Sequence, residues 1–267
     1  MIILLFAVVA AIATGLYFAF VNTVFWQLLL VFLGVFLGEN ILFVLFFYLA
    51  SLGVDRSKPL EKQNKLCRAA CAQIIGLACD YCSIRAKIVG EEKLPKDERF
   101  LLISNHRSSF DPLIIMDKLR KYNISFISKP SNMELPVAGR IAYGAGFLAI
   151  DRENNRNALK TILQAADYLK RDLCSMAIYP EGTRNRGEGL LPFHAGSFKI
   201  AQKAGCPLVI TAVSGTENIK PWRIFGGNKV KLNILEVIPA EKVKEMSTAE
   251  LADYSCELIT KSLSKEN

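Results

Sequence analysis

A histidine and an aspartate five positions apart are the side chains in this sequence best suited to acid–base chemistry. His106 and Asp111 follow a short apolar run, residues 100–103, and the chain has only two histidines. Near neutral pH an imidazole can take a proton from a hydroxyl, and a carboxylate can fix its tautomer and steady the imidazolium. The segment therefore predicts a base and its orienting carboxylate at the end of a buried strand. A loop histidine followed by Asp111 as a helix cap is a second interpretation, compatible with the first.

A second polar segment, Tyr179–Asn185, also follows an apolar run. Gly182 in this segment allows the backbone to approach a ligand closely. Arg184 and Arg186 carry planar donor groups that suit a phosphate. The segment therefore predicts an anion-binding turn. A polar turn closed by a salt bridge between Glu181 and Arg184 is the alternative.

Three further polar residues stand next to predicted elements. Lys129 lies at a strand end, where it could meet a phosphate or stay solvated. Arg152 follows Asp151 at another strand end, and by itself the two form an ordinary charged pair. His194 precedes the segment 195–199 and is expected to seat a helix. The sequence contains neither a G-x-S-x-G nucleophile elbow nor an H-E-x-x-H metal motif.

After residue 83 the sequence alternates between strand and helix patterns, which predicts an α/β domain over residues 84–267. Such alternation is typical of a largely parallel sheet flanked by helices, with its active site beyond the carboxyl ends of the strands. Ser247 and Glu250 form a capping box at the start of the last helix. The predicted strands are 84–89, 100–104, 124–128, 146–150, 174–179, 207–213 and 229–237. The predicted helices are 111–121, 133–143, 155–171, 195–204 and 247–263.

The first 54 residues are almost free of charge. They contain one acidic residue, Glu39, and no lysine or arginine, whereas all 33 basic residues of the chain come later. Two apolar runs, residues 1–21 and 24–52, each reach the ~20 residues that can cross a hydrocarbon core. Their many aromatic residues leave no polar face, and they lack the basic stretch of a signal peptide. We therefore predict a membrane-anchoring helical hairpin over residues 1–54.

Basic residues follow the second apolar run, which predicts a cytoplasmic location for this end. The expected localisation is the cytoplasmic (cell) membrane, with the following domain facing the cytoplasm. Residues 55–83 are expected to form an amphipathic connecting helix at the membrane surface. Glu39 is either a functional intramembrane carboxylate or a sign that the hairpin enters only one leaflet. The basic residues that follow the second apolar run are Arg56, Lys58, Lys62, Lys65 and Arg68.

The basic composition, with a pI near 9.1, indicates a membrane surface or a phosphate-bearing substrate rather than nucleic acid. The basic residues are dispersed, and no nucleic-acid-binding module is recognisable. The segment 220–225 mixes basic and aromatic side chains, which suits a lipid head-group zone. A surface turn packed on the domain is the equal alternative for that segment.

The seven cysteines include a C-x-x-C pair, Cys79 and Cys82, that could suggest zinc. Residues 61–83 are predicted to form one helix, on which Cys67 and Cys82 would be ~22 Å apart. One tetrahedral ion cannot gather ligands over that distance. We therefore expect free thiols in a reducing cytosol and no metal.

Four segments together resemble the motifs of a known family. Asn105, His106 and Asp111 match an Asn-His-x4-Asp motif, and residues 149–152 match a Phe-Ile-Asp-Arg block in which alanine replaces phenylalanine. Tyr179–Asn185 resembles Phe-Pro-Glu-Gly-Thr-Arg-Ser, with the first and last residues changed. Cys206–Ile210 resembles an apolar block that usually has a second proline at its end. In this order the segments resemble the glycerolipid acyltransferase family, and within it the bacterial PlsC type.

The resemblance, which covers about residues 84–240, implies a 1-acylglycerol-3-phosphate acyltransferase with His106 as general base and Asp111 as its orienting group. The family acylates a lysophospholipid such as lysophosphatidic acid, with acyl carrier protein or coenzyme A thioester as co-substrate and without a cofactor. The implied acceptor site comprises Glu181, Gly182, Thr183 and Arg184, with Arg152 and Lys129 on the phosphate.

Other functions remain alternatives on the sequence alone. The acceptor could be a lyso-ornithine lipid or another lysophospholipid. A non-catalytic lipid-binding relative is disfavoured, because a binding module has no need for His106 and Asp111. A membrane-anchored phosphohydrolase is disfavoured more strongly, because the sequence offers neither metal ligands nor an obvious nucleophile.

Overall fold

The structure is a computed structural model that describes residues 2–21, 24–220 and 227–265. The predicted membrane-contact segment 220–225 therefore lies outside the described residues from position 221 onward. The short link between the two apolar runs, residues 22–23, lies outside them as well.

A seven-stranded mixed sheet forms the centre of the molecule, with the order β1-β7-β6-β2-β5-β3-β4. Every pair of neighbours is parallel except β6 and β7, which are antiparallel with an irregularity between Ile210 and Thr211. The predicted, largely parallel α/β fold is thus confirmed. The strands are β1 Ile84–Val89, β2 Leu101–Ile103, β3 Ile124–Ser128, β4 Leu148–Ala149, β5 Ser175–Ile178, β6 Leu208–Ser214 and β7 Asn228–Ile238.

The central strands β2 and β5 are buried on both sides because helices cover both faces of the sheet. All residues of β2 and β5 are buried, whereas the edge strand β1 alternates between partly buried and exposed residues. Alternate residues of β5 enter opposite layers: Met176 and Ile178 face the layer of α7, α8 and α10, and Ala177 faces the layer of α4. The helices are α1 Ile2–Phe20, α2 Phe25–Ser51, α3 Lys65–Tyr81, α4 Asp111–Lys118, α5 Pro130–Met133, α6 Ala138–Gly144, α7 Asn155–Lys170, α8 Lys199–Ala204, α9 Ala240–Glu245 and α10 Thr248–Ser264.

Several helix boundaries differ from the prediction. The single helix predicted over 133–143 is wrong, because α5 and α6 are separate and Pro136, which cannot donate a backbone hydrogen bond, lies between them. The helix predicted over 61–83 begins only at Lys65, where the Asn64 side chain accepts hydrogen bonds from two backbone amides. A turn of 3-10 helix, Ala195–Phe198, replaces the start of the helix predicted over 195–204. Helix α9 was not predicted. The capping box of Ser247 and Glu250 is present at α10.

The two N-terminal helices pack on each other and expose large apolar side chains. The stretch Phe25–Leu49 of α2 is the one described helix that is long and apolar enough to cross a membrane, and the apolar part of α1, Leu4–Phe20, is shorter. Phe20 and Phe25 are more than four-fifths exposed, so these helices leave large apolar side chains uncovered. At its far end α2 approaches the domain, where Phe47 packs with buried residues of α3 and α6.

Candidate active site

The polar residues singled out in the sequence meet at one edge of the sheet. Strands β2 and β5 are parallel neighbours, and β3 and β4 continue the sheet beyond β5. The loops after these four strands therefore leave from the same edge. His106 follows β2, Lys129 follows β3, Arg152 follows β4 and Glu181 follows β5.

His106 and Asp111 form a hydrogen-bonded pair. The Nδ1 atom of His106 lies 2.8 Å from Oδ2 of Asp111, whose side chain is 1% exposed. A carboxylate can only accept, so Nδ1 carries the proton and Nε2 is left with a free lone pair. The imidazole is 18% exposed and lines a cavity, which makes Nε2 available to a substrate hydroxyl.

Asp111 organises the loop before α4 rather than capping that helix. Its Oδ2 atom accepts hydrogen bonds from the backbone N–H groups of Arg107 and Ser108, both at 2.8 Å. Asp111 is itself the first residue of α4, and the cap position, Phe110, has no side-chain cap. The capping interpretation of Asp111 is therefore wrong. Three donors converge on one carboxylate oxygen, which fixes both the loop and the imidazole.

Tyr179 stacks face to face on His106, an interaction that the sequence did not predict. The ring centroids of His106 and Tyr179 are 4.0 Å apart and the ring planes differ by 9°. Phe126 of β3 stacks on Tyr179 in turn, with centroids 5.5 Å apart. Burial, with a contribution from Asp111, raises the pKa of the Tyr179 phenol well above its usual value. The phenol therefore stays neutral, and its ring packs against one face of the imidazole.

Glu181 connects the loop after β2 with the loop after β5. Its Oε1 atom accepts from the backbone N–H of His106 at 2.7 Å, and Oε2 accepts from Leu191 at 3.0 Å. The side chain is buried, and burial raises the pKa of its carboxyl group despite these two hydrogen bonds. The alternative of a Glu181–Arg184 salt bridge is wrong, because Arg184 donates instead to Oγ of Ser109 at 2.6 Å.

Two asparagines, Asn105 and Asn185, fix the same loops. The Asn105 side chain donates to the backbone oxygen of Val213 and accepts from its N–H, both at 2.8 Å. This bond pair fastens the end of β2 to the end of β6. The Asn185 N–H donates to the His106 carbonyl at 2.7 Å. An amide offers one donor and one acceptor side, which is the signal that could have indicated a backbone bridge at Asn105.

The cationic residues are exposed around the opening of the site. Arg152 and Lys129 have no ion-pair partner in the part of the chain that the structure describes, and partial burial lowers the pKa of the Arg152 guanidinium. The Asp151 side chain bonds to Asn157 rather than to Arg152, so the ordinary charged pair is not formed. Thr183 is exposed beside Arg184 in the same loop.

A cavity of about 430 Å³ adjoins His106. Its polar wall comes from the strand-end loops, and its apolar wall comes from α3, α4, α6 and the residue before β4. The polar wall contains His106, Ser109, Lys129, Arg152, Gly182, Thr183 and Arg184. The apolar wall includes Ile74, Ile75, Leu113, Met116, Ile141 and Phe147. A cavity with these two walls suits an amphipathic ligand with one anionic end.

No group of three or more His, Cys, Asp or Glu side chains that could hold a metal ion occurs among residues 2–21, 24–220 and 227–265. All seven cysteines are free, and six are buried. Burial raises the pKa of the Cys71 thiol, at the cavity wall, to about 12. Cys71 is thus a small apolar side chain rather than a nucleophile or ligand.

Comparisons with known proteins show which family the chain resembles. A family model described as Acyltransferase matches residues 85–214. The chain is 31% identical over 179 residues to the 1-acyl-sn-glycerol-3-phosphate acyltransferase of Haemophilus influenzae, a match that covers 66% of this chain and 74% of that protein. It is 34% identical over 146 residues to the enzyme of the same name from Escherichia coli, a match that covers 54% of this chain and 58% of the relative.

A solved structure shares the fold. The crystal structure of the 1-acyl-sn-glycerophosphate (LPA) acyltransferase PlsC from Thermotoga maritima superimposes with a TM-score of 0.61 at 22% identity, covering 85% of this chain and 95% of that one. The family model over residues 85–214 and the 31% identical relative make this part of the chain an acyltransferase domain. The chain belongs to the acyltransferase family whose curated members include the 1-acyl-sn-glycerol-3-phosphate acyltransferases.

Proposed function

We propose that the protein transfers a fatty acyl group from an acyl thioester to the sn-2 hydroxyl of 1-acyl-glycerol-3-phosphate, giving phosphatidic acid. The donor would be acyl-ACP or acyl-CoA, and no cofactor takes part. The observation that carries this proposal is the His106–Asp111 pair, which faces a cavity with a cationic wall and an apolar wall. The relatives named for this reaction support the same acceptor.

The chemistry begins with proton transfer. Nε2 of His106 accepts the proton of the acceptor hydroxyl as its oxygen attacks the thioester carbonyl, and Asp111 stabilises the imidazolium. The tetrahedral intermediate then collapses, the carbon–sulfur bond breaks, and the imidazolium returns the proton to the leaving thiolate. The transfer is direct, so no acyl-enzyme forms. His106 is neutral again at the end.

The oxyanion of the tetrahedral intermediate needs hydrogen-bond donors. The backbone N–H groups near the base already have acceptors within the protein. The His106 N–H donates to Glu181, and those of Arg107 and Ser108 donate to Asp111. The Gly182 N–H donates to the Tyr179 carbonyl. These four amides are therefore already engaged by acceptors of the protein itself. The cationic wall of the cavity remains as the source of positive charge for this step.

The acceptor is proposed from the charges at the opening. A phosphomonoester carries close to two negative charges, and Arg152, Arg184 and Lys129 surround the polar wall. Guanidinium groups bind such a phosphate through charge-assisted hydrogen bonds. Glu181, Gly182 and Thr183 shape the loop that carries Arg184. A fatty acyl chain would lie against the apolar wall, where burial of each methylene contributes about 0.8 kcal/mol.

The membrane is the proposed setting because both substrates carry long acyl chains. The apolar helices α1 and α2 would anchor the protein, and the exposed basic residues of 56–68 would meet anionic head groups on the cytoplasmic side. Lysophosphatidic acid, acyl carrier protein or coenzyme A thioester, and the phospholipid bilayer are thus the proposed partners.

An assay of the purified full-length protein tests the proposal. The acceptors are 1-acyl-glycerol-3-phosphate, a monoacylglycerol of the same chain, and a lyso-ornithine lipid, each offered with acyl-ACP and with acyl-CoA. We expect phosphatidic acid, identified by product mass, and poor turnover of the acceptors that lack the phosphomonoester. Preferred acylation of the lyso-ornithine lipid would move the assignment to that acceptor. Binding of these lipids without any acylation would indicate a non-catalytic relative.

A further inference from the structure

The second histidine of the chain lies beside the proposed active site. His194 is fixed next to the loop after β5, because its N–H donates to the Pro180 carbonyl at 2.9 Å and its carbonyl accepts from Ser197 at 3.0 Å. Its imidazole makes no cap for the turn that follows, so the expectation that it seats a helix is not met by its side chain. The side chain is exposed.

Gly182 marks the point where His194 and Arg152 converge. A Cβ atom at Gly182 would lie 3.0 Å from Nε2 of His194 and 3.7 Å from the guanidinium carbon of Arg152. Both side chains therefore lie on the same side of this glycine, which has a positive φ of 76°. A side chain at position 182 would collide with the imidazole and fill the space between the two donors.

Neither side chain is occupied by a protein partner. No hydrogen bond or ion pair of the His194 ring or of the Arg152 guanidinium is formed within residues 2–21, 24–220 and 227–265. Two exposed nitrogen donors that converge without a carboxylate between them repel each other when both are charged. An anion placed between them would remove that repulsion and accept hydrogen bonds from both.

We propose that His194 and Arg152 together bind the phosphate of the acceptor, with Gly182 leaving the space for its oxygens. This inference rests on the proposed function and adds a binding residue to it. His194 donates through Nε2, and Arg152 donates through its planar guanidinium. The phosphate is thereby held at the loop that carries Glu181, whose hydrogen bond to the His106 N–H connects the phosphate site to the base.

The test compares full-length His194→Ala and His194→Lys with wild type on two acceptors, 1-acyl-glycerol-3-phosphate and the matching monoacylglycerol. For His194→Ala we expect the KM for the phosphorylated acceptor to rise about tenfold, the effect of losing a hydrogen bond to a charged group. The kcat should change by less than about twofold, and kcat/KM for the monoacylglycerol should stay the same. His194→Lys should restore the low KM, because an ammonium also binds a phosphate.

Lys199→Ala is the matched control, since Lys199 is an exposed cation at the start of α8 outside the cavity wall. It should leave the KM for both acceptors unchanged. Equal losses of His194→Ala on both acceptors, or no loss on either, would overturn the role of His194 while leaving the proposed function intact. Wild type that fails to acylate the phosphorylated acceptor would overturn both. Calorimetric titration of 1-acyl-glycerol-3-phosphate into each variant, without donor, gives the same comparison independently of turnover.

Discussion

The imidazole of His106 and the phenol ring of Tyr179 lie parallel, with their centroids 4.0 Å apart. One edge of the imidazole is held by Asp111 and one face is covered by Tyr179. The hydrogen bond prevents the ring from turning about its long axis, and the stacked ring prevents it from swinging out of the plane. Together these contacts leave His106 one orientation, with Nε2 at the cavity.

Replacing Tyr179 tests whether the stack matters for turnover. Tyr179→Phe keeps the ring and should change kcat by less than about threefold, because stacking does not need the hydroxyl. Tyr179→Leu removes the ring and should lower kcat about tenfold or more with little change in KM for the donor, since a misplaced base transfers protons slowly. Steady-state kinetics on the phosphorylated acceptor give both values.

Phe100→Leu is the control for a general loss of packing. Phe100 is buried in the same apolar layer as Tyr179 but lies outside the cavity wall. It should lower the unfolding temperature as Tyr179→Leu does and leave kcat near wild type. If Phe100→Leu and Tyr179→Leu reduce kcat to the same extent, Tyr179 only supports the fold.

His106 and Asp111 should behave as one unit in catalysis. His106→Ala should lower kcat at least about 100-fold, the usual lower bound for general base catalysis. Asp111→Asn should cause a similar loss, because a neutral amide does not stabilise the imidazolium and its NH2 group can only donate where a carboxylate oxygen would accept. The double variant should be little worse than either single one. Thermal unfolding of each variant shows whether the fold survives, and near-normal turnover in folded His106→Ala would contradict the mechanism.

The sequence predicts the base, its carboxylate and the strands that carry them because these signals are local. Asp111 follows His106 in one loop, and apolar runs predict the strands wherever the chain is buried on both faces. The stack of His106 on Tyr179 has no local signal, since it depends on β2 and β5 being neighbours in the sheet. The break between α5 and α6 was missed because the apolar spacing around Pro136 continues across it. The role of Leu191 as a partner of Glu181 is a backbone contact, which no side-chain pattern reveals.

Arg184 should contribute to recognition of the phosphorylated acceptor. Arg184→Ala removes charge-assisted hydrogen bonds and should lower kcat/KM for 1-acyl-glycerol-3-phosphate about 10-fold to 100-fold. The matching monoacylglycerol should be a poor acceptor for wild type and lose little more in the variant. Arg186→Ala is the control, because Arg186 is exposed in the same loop but does not line the cavity. Equal losses on the two acceptors would remove Arg184 from the phosphate site.

Because of Glu181, the free energy of unfolding should increase as the pH falls. The pKa of its carboxyl group is raised in the folded protein, so folding favours the protonated form. The stability linked to this shift is fully present below the unfolded value, 4.5, and is lost as the pH rises through the folded pKa. The unfolding temperature of wild type should therefore rise relative to that of Glu181→Gln as the pH falls from 7 toward 4.5.

Thermal unfolding in detergent at several pH values measures this difference. Glu188→Gln provides the control for the loss of one carboxylate, because Glu188 is exposed in the same loop. If the unfolding temperature of wild type instead falls relative to that of Glu181→Gln on acidification, the two hydrogen bonds from backbone amides lower the pKa of Glu181 by more than burial raises it.

Helix α3 is both a wall of the cavity and the element against which the end of α2 packs. Ile74 and Ile75 line the cavity, while Phe47 contacts the buried side of the same group of helices. The apolar wall recognises a hydrocarbon tail by burial alone, and burial does not distinguish a fatty acyl chain from the alkyl tail of a detergent. The medium that keeps this protein in solution is therefore itself a competitor for the site. We expect apparent affinities measured in micelles to weaken as the detergent tail lengthens, and those measured in lipid nanodiscs to be free of this inhibition.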